Sequence, residues 1–121
     1  MWMFTKHGLL SVVSDRGNNN NLLVRARQCH HITRILPNQH PSYTPNADYH
    51  WRVSISRLEF STLIAELIGD ISYPNFKNAA DPALQSVYMR VWSDALELQA
   101  DRYAEVTQLP PINYRPSADE L

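Results

Sequence analysis

From Tyr49 to Ser56 the chain alternates: Trp51, Val53 and Ile55 fall on one face of an extended segment, and His50, Arg52, Ser54 and Ser56 fall on the other. That pattern predicts a half-buried strand. Immediately afterwards the apolar spacing changes from two to three and four, with Phe60, Leu63, Ile64, Leu67, Ile68 and Ile71 forming one stripe. Ser56 and Glu59 have the spacing of a capping box, and Ile55 and Phe60 that of a hydrophobic staple. Gly69 suits a left-handed exit. These signals predict a helix over residues 57–69, packed on the sheet, with no catalytic group on its apolar face.

Residues 2–14 and 22–28 are both rich in β-forming residues, and the "RGNNNN" between them supplies turn-forming Gly and Asn. A β-hairpin with a slack loop is expected. In "HHITRILP", Ile32, Ile35 and Leu36 have helical spacing until Pro37 stops them, and residues 37–48, with three prolines, read as a loop. Asp81 as N-cap and Pro82 at the first helical position open a stripe of Leu84, Val87, Tyr88, Val91, Trp92, Ala95 and Leu98. This predicts a long C-terminal helix of about 25 residues, roughly 37 Å, whose far end is left to reach a partner. Tyr88 and Trp92 are expected in the core. The order β-β-α-β-α-α predicts an α+β fold: an antiparallel sheet of three or more strands, the hairpin plus a third strand, with helices packed on one face, ferredoxin-like in spirit. Residues 1–107 read as a single domain, and the proline-rich segment 108–121 as a poorly ordered tail.

The 121 residues can bury one core without staples. Eleven basic against 12 acidic side chains leave a net charge of −1, which excludes a global pull toward nucleic acid or membrane but not a local basic patch. Cys29 is alone and so forms no intramolecular disulfide, and "MWMFTKHG" does not read as a leader, so a reducing, cytoplasmic setting is expected. No apolar run reaches the roughly 20 residues of a membrane helix.

Parity singles out one cluster. If Leu22, Val24 and Ala26 face the core, Arg25 and Arg27 point outward, and on the next strand Arg52 does the same with His50 beside it. On neighbouring strands these groups would form a basic binding face, able to hold phosphate or a partner's carboxylates bidentately. With Phe4 or Tyr49 nearby the face resembles a single-strand nucleic-acid platform, although no RNP-type aromatic motif is present. The plainer reading is a solvated face paired to Asp or Glu.

Other candidates are weaker. Cys29, His30, His31, His40 and His50 match no structural zinc spacing, and adjacent His30 and His31 should diverge, so neither metal nor cofactor is predicted. His50 beside Asp48 and Tyr49, with His7 or His31 in the second role, could serve a metal-independent histidine ribonuclease. Against that, Asp48 is a natural turn residue, Tyr49 a natural cross-strand aromatic, and the three glycines (Gly8, Gly17, Gly69) form no phosphate-cradling loop. Tyr73, Phe76 and Lys77 should fold back over the end of the 57–69 helix; the sharper alternative makes them, with Tyr103, a partner contact.

The blocks "MWMFTKHGLLSVVS", "LLVRAR", "TPNADYHWRV", "ISYPNFK" and "VWS", in that order over residues 1–94, resemble a family of small bacterial and phage-borne proteins with no assigned activity. Two stretches depart from it: "RQCHHITRILPNQHPSY" is short for the helix such proteins carry, and the end from Leu96 goes beyond the pattern. The resemblance implies a stand-alone bacterial or phage protein and brings no site residues with it. The expected function is a small non-enzymatic binding or regulatory protein, docking on another macromolecule through the basic face or the C-terminal helix. One version is a phage-borne inhibitor of a host or defence complex. A protein is the expected partner; single-stranded nucleic acid and self-association through the C-terminal helix are the alternatives.

Overall fold

Lys6 and His7 break the first β-rich run, so it makes a hairpin of its own: β1 (Trp2–Thr5) and β2 (Gly8–Ser14), where one long strand was expected. Thr5 holds the turn, its Oγ1 donating to the Gly8 carbonyl (2.8 Å) and accepting from the His7 amide (3.2 Å). This computed structural model describes residues 1–99 and 112–113, and the chain divides into two compact units, Met1–Tyr88 and Met89–Leu121.

β3 (Asn21–Ala26) follows the asparagine loop, which is not slack. Asp15 Oδ1 accepts from the Gly17 amide and Asn18 Oδ1 from the Asn20 amide, while the Asn19 and Asn20 carbonyls accept from Arg57 Nε and the Arg57 amide. Helix α1 (Cys29–Thr33) is the short helix expected before Pro37, but it ends at Thr33, before Ile35 and Leu36. β4 (Ser42–Tyr43) is a two-residue strand inside the expected loop, and β5 (Trp51–Ser56) is the strand read from alternation. The five strands run β1-β2-β3-β5-β4, every neighbour antiparallel, so the fold is α+β.

Helix α2 spans Arg57–Gly69 as the capping signals require. The Glu59 amide donates to Ser56 Oγ (3.1 Å), but the Glu59 carboxylate accepts from Gln39 Nε2 instead of closing the box. Gly69 has no left-handed φ; Asp70 ends the helix in right-handed geometry. After α3 (Phe76–Ala79), capped by Asn75, comes α4 (Pro82–Ala95), which tightens into a 3₁₀ turn at Leu96–Gln99. The continuous α-helix is therefore shorter than the stripe suggested; the expected helix beyond residue 99, Tyr103 and the proline-rich tail lie outside the described residues, apart from 112–113.

Burial follows strand parity. Leu10, Val12, Val24, Ala26 and Ile55 meet Ile32, Ile35 and Leu36 from the α1 region and Phe60 from α2, forming the main core on one face of the sheet. Phe4 and Leu9, cross-strand partners of the opposite parity, pack against Ala80, Leu84 and Tyr88. The Tyr88 hydroxyl donates to the Thr5 carbonyl (2.8 Å), and burial pushes its pKa up to about 12. Trp92, expected in the core, is 51% exposed.

Asp81 ties three elements together. Its amide donates to the Lys6 carbonyl, and its carboxylate takes Arg34 Nη1 and His7 Nδ1 (3.4 Å) instead of capping α4. Beneath this junction Gly8 admits α1: a Cβ there would lie 2.6 Å from the His31 Cβ and 2.9 Å from its Cα. We expect Gly8→Ala to cost about 1–3 kcal/mol, the usual penalty for overpacking, as a lower urea midpoint. Unchanged stability would show that α1 does not bear on the strand.

His31 is buried, and desolvation, reinforced by the neighbouring His30 and opposed by Asp81, holds its pKa below the ordinary 6.5. The unfolded chain therefore takes up a proton at His31 more readily than the fold does, and stability falls as pH drops through about 6.5 toward the lowered value. Urea titrations across that range should show a shallower loss for His31→Gln than for the natural protein; parallel curves would contradict this assignment.

Candidate functional site

The β3–β5 register that places Val24 beside Val53 also places Arg25 directly opposite Arg52, on the face turned away from α1 and α2. Ser11 is the third member of this row, opposite Arg25 on β2. Arg27 lies two residues along from Arg25, just past the end of β3. The guanidinium carbons of Arg25 and Arg27 stand over the Tyr49 ring at 4.8 and 4.9 Å, contacts worth about 0.5–2 kcal/mol each. Arg25 Nη2 donates to Ser11 Oγ (2.8 Å), Arg27 Nη1 to the Asp48 carbonyl (3.0 Å) and Arg52 Nη2 to the Tyr49 carbonyl (3.3 Å). The three arginines thus gather around one tyrosine.

What they lack is an ion-pair partner in direct contact. Among the described residues no carboxylate comes within ion-pair distance of Arg25, Arg27 or Arg52; His7 and Arg34, by contrast, both pair with Asp81. The plain expectation of a face neutralised by Asp or Glu is not met. Furthermore, Nε of Arg25 and Nε of Arg52 are both buried without a hydrogen-bond partner, an arrangement that costs on the order of 1–3 kcal/mol per group when nothing relieves it.

Between the β2–β3 loop and this pair is a cavity of about 500 Å³ lined by Val13, Ser14, Asp15, Arg16, Leu23, Arg25 and Arg52. Asp15 is its one acid. Its carboxylate accepts from Ser54 Oγ (2.5 Å) and from the Gly17 amide, and these bonds hold its pKa below the usual value, so it stays ionised. Arg16 and Asp15 were not singled out from the sequence, where they read only as part of a hairpin loop; a charged pair before a Gly-Asn turn is the sole signal they offer.

His50 does not join the arginines' hydrogen bonds. It is exposed and edge-on to Tyr43 (5.5 Å), which itself pairs with Trp51. Asp48 Oδ1 accepts from the Tyr49 amide, a turn role, so the pairing a histidine ribonuclease would need at His50 is not formed. His7 has Asp81 as partner, and the His30 and His31 rings, expected to diverge, meet at 4.7 Å. Among the described residues, no group of three His, Cys, Asp or Glu could hold a metal ion. The Tyr73 and Phe76 rings are 5.9 Å apart, Phe76 stacks on Tyr88 of α4 at 5.4 Å, and Lys77 is half-buried. No helix among the described residues is long and apolar enough to cross a membrane. Comparisons with family models, with curated proteins and with solved structures return no match for this chain.

Proposed function

We propose that this chain is a small, non-enzymatic binding protein that docks on an acidic surface of a protein partner through Arg25, Arg27 and Arg52. The observation that carries the reading is three arginines on one sheet face with no carboxylate to answer them among the described residues. Holding like charges directly across a strand pair is unfavourable, and a partner's anions supply the missing compensation. The alternative platform for single-stranded nucleic acid fits less well. Its candidate stacking ring, Tyr49, is 8% exposed and already occupied by two guanidinium groups, whereas base stacking needs an open aromatic face.

Fluorescence anisotropy with a labelled glutamate-rich peptide and a labelled oligothymidylate tests the choice. The peptide should bind more tightly than the oligonucleotide. Its affinity should fall between about 50 and about 200 mM salt, and Arg25→Ala with Arg52→Ala should weaken it by about tenfold or more. Tighter binding of the oligonucleotide would favour the nucleic-acid reading, and no binding of either at low salt would overturn both.

A further inference from the structure

The cavity beside Arg25 and Arg52 is more specific than a basic face needs to be. Two strand arginines, Arg25 and Arg52, line it from directly opposed positions of β3 and β5, and Arg16 lines it from the β2–β3 loop, so three guanidinium-bearing residues border one cavity from two strands and a loop. Ser11 and the Tyr49 carbonyl occupy one Nη2 each, and no hydrogen bond of the described residues engages Nη1 of either strand arginine. Nε of each strand arginine is buried without a hydrogen-bond partner. Asp15 offsets one of the three positive charges and leaves two.

From this geometry we infer that the cavity is a binding site for a phosphate monoester, held by Arg16, Arg25 and Arg52 with its organic body against Val13 and Leu23. The inference rests on the reading of this face as an anion-docking surface and names the anion. A monoester is close to dianionic at neutral pH, matching the two residual charges, whereas a carboxylate or a phosphodiester brings one charge. Its three terminal oxygens point in three directions and meet donors converging from two strands and a loop; the two coplanar oxygens of a carboxylate would leave one arginine unmatched. The cavity, about 500 Å³, is larger than a bare phosphate requires, and Val13 and Leu23 in its lining give the ester's carbon body a surface to cover. Asp15, fixed by Ser54 and Gly17, works against a second anion, so one ligand per site is expected. Binding supplies acceptors to the arginines after a small resettling of their side chains, because the Nε groups are shut from solvent in the empty cavity.

The test is calorimetric titration at constant ionic strength with phenyl phosphate, inorganic phosphate and benzoate, alongside thermal melts. Phenyl phosphate should bind saturably at one site, raise the melting temperature, and bind more tightly than inorganic phosphate and at least about tenfold more tightly than benzoate. Arg52→Gln should lose at least about tenfold in affinity. Arg16→Gln, on an exposed loop where it cannot unfold the protein, should also weaken binding, while Arg90→Gln on α4 should not. A phosphoserine peptide set against glucose 6-phosphate then identifies the source, and tight binding of either supports the site. Absence of saturable phenyl phosphate binding, equal affinity for benzoate, or indifference to Arg16→Gln would overturn the proposal. If the glutamate-rich peptide still binds in that case, the docking surface stands without the phosphate pocket; if nothing anionic binds, both fall.

Discussion

The constraint on which the candidate site depends is the pairing of β3 with β5. Because side chains alternate strictly along a strand, burying Leu22, Val24 and Ala26 against Val53 and Ile55 leaves no choice about where Arg25 and Arg52 go: they stand opposite each other on the far face. A slip of one residue would drive a guanidinium into the core and expose the aliphatic row. The hydrophobic effect thus maintains a pair of like charges that electrostatics alone would separate. Ser11, the Tyr49 ring and the Tyr49 carbonyl relieve part of the cost, and no carboxylate among the described residues makes an ion pair with either arginine.

The surrounding structure keeps this arrangement rigid. The loop that brings Arg16 to the cavity is knitted by Asp15 and Asn18 and pinned to the first residue of α2 through Arg57, so its charge is presented from a fixed platform. On the other side, Asp81 binds the β1–β2 turn to Arg34, and Gly8 lets α1 approach the sheet. That junction pairs His7 and Arg34 with one carboxylate, while Arg25, Arg27 and Arg52 have no ion pair among the described residues. A scaffold that pairs charges in one place and leaves them unpaired in another is the contrast on which the binding interpretation rests.

Local signals were legible in the sequence, and distant ones were not. Helix α2 could be bounded because its cap, staple and stripe all lie within a few residues of one another, and period-two alternation gave the outward direction of Arg25 and Arg52, while their meeting on one face required β3 and β5 to pair. The two-residue strand β4 has too few positions to show any period. Asp81 has the residue type and position of an N-cap, but Arg34 and His7, remote in sequence, compete successfully for its carboxylate. Glu59 likewise leaves its capping box for Gln39. Tyr88 and Trp92 share one helical stripe in the sequence, but periodicity does not say which of its positions is covered: Tyr88 packs on Phe4 and bonds Thr5, while Trp92 is exposed. The cavity depends on the β2–β3 loop lying beside the strand pair, which no sequence spacing encodes.

The most direct measurement is a double-mutant cycle on folding stability with Arg25→Gln and Arg52→Gln at low ionic strength, without added oxyanion. If the two guanidinium groups confront each other without a counter-charge, their coupling is unfavourable by about 0.2–1 kcal/mol and shrinks as salt is raised. A coupling of zero or of favourable sign at low salt would contradict the account, since it would mean that the two arginines are either apart or already neutralised.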